Sequence, residues 1–130
     1  MRVLIVEDEY LLALDAQEAL GQAGCEMVSI ASSVTKALSM LAEGAFDAAL
    51  VDANLQGESS EPIATALHQH SIPFLVVSGY SASQLPGSLA GAPFLAKPYG
   101  MDALVAATLA LKASKRGKEV IGAVVFSPIL

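Results

Sequence analysis

The chain holds one cysteine in 130 residues, so no internal disulfide can form, which suits a reducing compartment. Basic residues are scarce as well: seven Lys and Arg stand against thirteen Asp and Glu, a net charge of −6. That balance argues against a general nucleic-acid or membrane-surface binder, because phosphates attract positive patches. No apolar run approaches the ~20 residues that cross a bilayer, and the first residues enter a strand pattern without a signal-peptide apolar region. These absences raise the expectation of a soluble, cytoplasmic protein. What the chain has in abundance is Ala-rich apolar sequence, 54% hydrophobic, enough for one domain with its own core. Such a composition fits a sheet covered by helices on both faces. Cys25 reads as a small buried hydrophobe rather than a nucleophile.

The central stretch is Ala48-Ala49-Leu50-Val51-Asp52-Ala53-Asn54-Leu55, an apolar run of the kind buried on both faces of a parallel sheet. Asp52 stands where the run ends, the position at which open α/β folds place their chemistry. Taken alone, Asp52 serves equally as a turn or cap residue. Similar runs cover 2–6, 27–31, 46–51, 72–77 and 93–96, and helical spacing fills the intervals at 9–22, after Ser32 and Ser33, around Ile63 to Leu67, and from a cap at Asp102. Residues 56–60 read as a loop. Pro86, Gly87 and Gly91 make any helix across 81–92 short or irregular. Strands alternating with helices predict a doubly wound, flavodoxin-like parallel sheet of five strands in the order 2-1-3-4-5. That order brings the first and third strands together and draws Glu7, Asp8 and Asp52 into one crevice.

Three carboxylates without a nearby Cys or His form an oxygen-only site, which suits a hard, partly hydrated cation such as Mg²⁺. Lys97 and Ser78 end two other strands and add an ammonium and a hydroxyl. Together these groups suit phosphoryl transfer to a carboxylate, a reaction governed by positioning and charge neutralisation. Each residue also has a plain structural reading, as strand exit, turn or solvated charge. His68 and His70 lie two apart on a helical stretch, face different ways, and read as surface residues.

Four marks in order, Val6-Glu7-Asp8-Glu9, Leu50-Val51-Asp52, Val77-Ser78-Gly79 and Lys97-Pro98-Tyr99, give the chain its resemblance to the receiver domains of two-component response regulators. The resemblance covers about residues 1–112, with 1–113 as the domain and 114–130 as a basic and apolar tail. It implies the CheY-like form of the flavodoxin-like fold. It also implies that Asp52 accepts phosphate from a phosphohistidine of a sensor histidine kinase. Asp8 would bind Mg²⁺ (Mn²⁺ being the alternative ion) directly, Glu7 through water, and the Asn54 backbone carbonyl would supply another ligand. Ser78 and Lys97 would hold phosphoryl oxygens, the Lys97-Pro98 bond would be cis, and Ser78 with Phe94 would form the switch to a downstream protein-binding face. Asn54 and Tyr80 occupy positions that tune dephosphorylation.

The sequence departs from the family at several points. The common Asp-x-x-Met/Leu-Pro loop becomes Asp52-Ala53-Asn54-Leu55-Gln56, so position 56 lacks the usual proline, and position 7 is Glu rather than Asp. The irregular 80–92 stretch puts family-style dimerisation through a fourth helix in doubt. Asn54 to Glu58, Ile72 to Phe74 and Ser78 to Tyr80 look like single-domain receivers paired with HWE-type kinases. The cluster Lys112, Lys115, Arg116 and Lys118 reads as the exposed end of a last helix or a linker. The apolar 120–126 segment reads as an edge strand, an association segment or a remnant. With no output domain after residue 112, the expected output is a protein contact or a relay role, or else the chain is a piece of a longer regulator.

Three other readings compete. A haloacid-dehalogenase-type hydrolase would need an acid two residues past its nucleophile, where this chain has Asn54. A degenerate receiver would work without phosphate. A flavin mononucleotide carrier would need a hydroxyl- and Gly-rich phosphate loop where Glu7-Asp8-Glu9 stands.

Overall fold

The computed structural model describes residues 1–79, 84–85 and 87–116. Its elements are β1 (Arg2–Val6), α1 (Tyr10–Gln22), β2 (Met27–Ala31), α2 (Val34–Glu43), β3 (Ala48–Asp52), β4 (Asn54–Leu55), β5 (Glu58–Ser59), α3 (Glu61–Gln69), β6 (Phe74–Ser78), β7 (Phe94–Ala96) and α4 (Met101–Arg116). Five parallel strands form one sheet in the order β2-β1-β3-β6-β7, with β4 and β5 in a separate antiparallel pair. Counting only the main-sheet strands, this is the expected 2-1-3-4-5 order. Tyr80, Lys118, the 120–126 segment and the side chains of Lys112, Lys115 and Arg116 lie outside what is described.

The apolar runs are continuous because alternate residues feed two cores. Leu4, Val6, Ala49, Val51, Phe74 and Val76 pack on the side of α2 and α3. Val3, Ile5, Ala48, Leu50, Leu75 and Val77 pack on the side of α1 and α4. Side chains alternate across a strand, so a central strand covered on both sides cannot carry a polar face. Cys25 is buried in the second core, and burial pushes its thiol pKa up.

Strand starts shift from expectation for local reasons. β3 begins at Ala48 rather than 46, because Asp47 is engaged with Arg2: its carboxylate accepts the Arg2 N–H at 2.7 Å and its own N–H donates to the Arg2 carbonyl at 2.7 Å. β6 begins at Phe74, since the Ile72 N–H returns to the Leu67 carbonyl and Pro73 has no N–H to give. Ser33 caps α2 by accepting the Lys36 N–H at 3.1 Å. Asp102 is not the cap of α4. The Gly100 carbonyl accepts the Leu104 N–H, which starts the helix at Met101 and leaves Asp102 within its first turn. His68 is exposed and sets its ring edge against Phe74, 5.2 Å between centroids, while His70 ends α3 as its cap.

In the irregular stretch Gly87–Leu89 form a 3-10 turn. Gly87 has φ 42°, a left-handed conformation that favours glycine, and a Cβ there would meet the carboxylate end of the Glu61 side chain at 2.8 Å. Leu104 is fully buried where α4 meets the sheet. Leu104→Ala is expected to lower unfolding free energy by about 2–5 kcal/mol in urea titration, through lost burial and the cavity left behind.

Candidate functional site: an acid pocket closed by one lysine

The pocket is assembled by strand ends. Register pairs Val6 with Val51 and Asp52 with Val77, so Glu7 follows β1 beside the residue that closes β3. A carboxylate oxygen from each of Glu7, Asp8 and Asp52 falls within a 4.8 Å cluster. Glu7 is 3% exposed and Asp52 6% exposed, and Asp8 is half-buried. Burying acids this close costs energy unless a cation answers them. Lys97, the residue after β7, provides it. Its Nζ lies 2.9 Å from Asp52 Oδ2, 3.3 Å from Glu7 Oε1 and 3.6 Å from Glu9 Oε1. The Lys97 N–H donates to the Ser78 carbonyl at 2.8 Å, which ties the lysine to the end of β6, and the Lys97-Pro98 bond is cis.

Electrostatics follow from burial first. Desolvation pushes the Glu7 carboxyl up to about 7; the Glu9 N–H counters this, the Asp52 charge adds to it and Lys97 opposes it. Burial pulls the Lys97 ammonium down, but its hydrogen bond to Asp52 and the charges of Asp52 and Glu7 outweigh that and hold it above its ordinary pKa. The half-buried Tyr99 phenol is pushed up to about 12, by burial and then by Glu7. It therefore stays protonated beside the pocket.

Ser78 is buried at the end of β6, one residue past the partner of Asp52. Phe94 is buried at the start of β7, in the cluster that includes Ala53, Leu85 and Leu89. The Asn54 N–H donates to Asp52 Oδ1 at 3.1 Å. Tyr80 lies outside the described residues.

Residues 54–59 are more ordered than a loop. β4 and β5 pair as Asn54 with Ser59 and Leu55 with Glu58, leaving Gln56-Gly57 as a two-residue turn with φ of 54° and 84°. Positive φ at both central residues is what a tight hairpin turn demands. The glycine after Gln56 was the available signal; the strands are too short for alternation to reveal them. Two contributors have no sequence signature at all. The Gln56 N–H donates to Asp8 Oδ2 at 3.0 Å, and the wholly buried Ser60 hydroxyl donates to the Asp52 carbonyl.

The sequence matches the family model of the response regulator receiver domain over residues 3–109. No curated protein matches it. Among solved structures, SdrG from Sphingomonas melonis Fr1 is 36% identical, with 87% of this chain and 96% of that chain covered and a TM-score of 0.74. A response regulator from Burkholderia pseudomallei, solved with a phosphorylated aspartic acid, calcium ion and citrate, is 24% identical, with 93% and 74% covered and a TM-score of 0.72. TrrA from Thermotoga maritima, in complex with Mg(2+)-BeF, is 22% identical, with 79% and 91% covered and a TM-score of 0.68. Fold, acid pocket and family match agree, and the chain belongs to the response regulator receiver domain family.

Proposed function

We propose that Asp52 accepts the phosphoryl group from a phosphohistidine of a sensor histidine kinase, and that the change is read by a partner protein. The observation that carries this is the meeting of Asp52 with Lys97 at 2.9 Å inside a three-carboxylate cluster. In the transfer a carboxylate oxygen of Asp52 forms the new O–P bond as the P–N bond breaks, and the histidine nitrogen keeps the electron pair. Lys97 would neutralise charge on the phosphoryl oxygens, and Ser78, at the neighbouring strand end, would donate its hydroxyl to one of them.

The donor set fits a hard divalent cation: all the clustered ligand atoms are carboxylate oxygens. Glu7, Asp8, Asp52 and the Asn54 backbone carbonyl would hold Mg²⁺, or Mn²⁺ in its place, with Glu7 acting through water. The metal supplies charge neutralisation for the incoming phosphoryl oxygens and the buried acids. The metal, phosphorylated aspartate and beryllofluoride named for the two related structures support this reading. Ser78 and Phe94 would relay the change, as the hydroxyl shifts toward the phosphate beside an already buried ring. Asn54 and Tyr80 would tune how long the phosphate lasts. Pairing with an HWE-type kinase rests on the sequence likeness of 54–58, 72–74 and 78–80.

The hydrolase alternative gains no support. Position 54, where it needs an acid, is an asparagine whose Oδ1 accepts the Gly57 N–H at 2.7 Å. The phosphate-independent alternative leaves the assembled acids and lysine without a task. Intact mass after incubation with acetyl phosphate and Mg²⁺ tests the proposal. One added phosphoryl group that requires Mg²⁺ is the expected result; no adduct together with no beryllofluoride binding refutes it.

A further inference from the structure

We propose that the Gln56-Gly57 turn is a positioning device for Asp8, and that this one backbone N–H sets the divalent-cation affinity of the acid pocket. The inference rests on the metal-binding role proposed above and adds Gln56 and Gly57, which that role does not name. Gln56 N–H donates to Asp8 Oδ2 at 3.0 Å across 48 residues of sequence, which fixes the orientation of a carboxylate that belongs to the acid cluster. Groups that hold a ligand by hydrogen bonding orient it and limit its loss of freedom when metal binds.

The turn that makes this contact is fixed by the hairpin around it. Gln56 has φ 54°, a conformation disfavoured for a residue with a Cβ, and such conformations persist where the surroundings fix them. Asn54 Oδ1 accepts the Gly57 N–H at 2.7 Å, which clamps the turn. The Asn54 N–H reaches Asp52 Oδ1 at 3.1 Å, and the Ser60 hydroxyl reaches the Asp52 carbonyl. One short hairpin thus touches two of the three clustered acids. Position 56 is where the common family pattern has proline, which has no N–H to donate. A proline at position 56 would therefore remove this contact.

The test replaces the Gln56 amide by an ester, using the α-hydroxy analogue of glutamine, so that the N–H is lost and the side chain stays. Gln56→Asn keeps the N–H and suits positive φ, and Gln56→Pro removes both. Mg²⁺ binding to the unphosphorylated protein is measured by titration calorimetry, and adduct formation from acetyl phosphate is followed at saturating Mg²⁺. The ester and Gln56→Pro are expected to weaken Mg²⁺ binding about tenfold, while Gln56→Asn and the rate at saturating metal stay within about twofold of wild type. If Gln56→Pro fails to fold, the ester decides. An ester that binds Mg²⁺ as tightly as wild type overturns the inference, and so does one that loses rate but not affinity. Wild type that binds Mg²⁺ but forms no adduct counts against Asp52 phosphorylation and leaves the role of the turn standing.

Discussion

Asp52→Ala is expected to carry no phosphoryl group after incubation with acetyl phosphate and Mg²⁺, under conditions in which wild type gains one. Two other carboxylates remain in the pocket, so the outcome is not trivial. Neither is placed as Asp52 is. Glu7 is buried, its Oε2 accepts the Glu9 N–H at 3.1 Å, and its Oε1 lies 3.3 Å from the Lys97 ammonium. Asp8 has one oxygen held by the Gln56 N–H. Only Asp52 has the lysine ammonium at 2.9 Å, where under the proposed transfer it would meet both the attacking oxygen and the arriving charge. The backbone of β3 survives the change, because the Asp52 carbonyl is held by Ser60 and the neighbouring Ala53 N–H by the Val77 carbonyl. Far-UV circular dichroism should match wild type. An adduct that persists in the variant would move the acceptor to Glu7 or Asp8.

Position is most legible in the sequence where the sheet dictates it. Apolar runs of strand length cannot be solvated on either side, so their ends, and with them Glu7, Asp52, Ser78 and Lys97, are marked in the sequence itself. What stayed hidden is what depends on backbone groups. Ser60 was one of two serines in a loop, and nothing in its neighbourhood told that its hydroxyl reaches back to Asp52. Gln56 acts through an N–H that every residue but proline has, so its identity carries no signal beyond not being proline. Asp102 looked like a cap because Asp often is one. Gly100 took that place by offering its carbonyl to Leu104, and a glycine's backbone advertises nothing.

Lys97→Met should separate two tasks that one ammonium performs. Among the described residues, Lys97 is the only side-chain cation in ion-pair range of Glu7 and Asp52. In the structure it compensates the acids; in the proposed transfer it would face the phosphoryl oxygens. A divalent cation and the ammonium compete for the same carboxylates and repel one another. Removing the ammonium is therefore expected to leave Mg²⁺ binding intact or tighter. The phosphorylation rate at saturating Mg²⁺ should fall by about 10²-fold or more, the usual loss when one donor to developing charge is removed. Methionine retains most of the buried stem, so packing changes little. Calorimetric Mg²⁺ affinity and the rate of adduct formation, measured on the same sample, check both halves. If affinity and rate fall together, Lys97 serves by holding the acids in place. If the rate alone falls, its work is on the phosphoryl group, and the pocket keeps its shape without it.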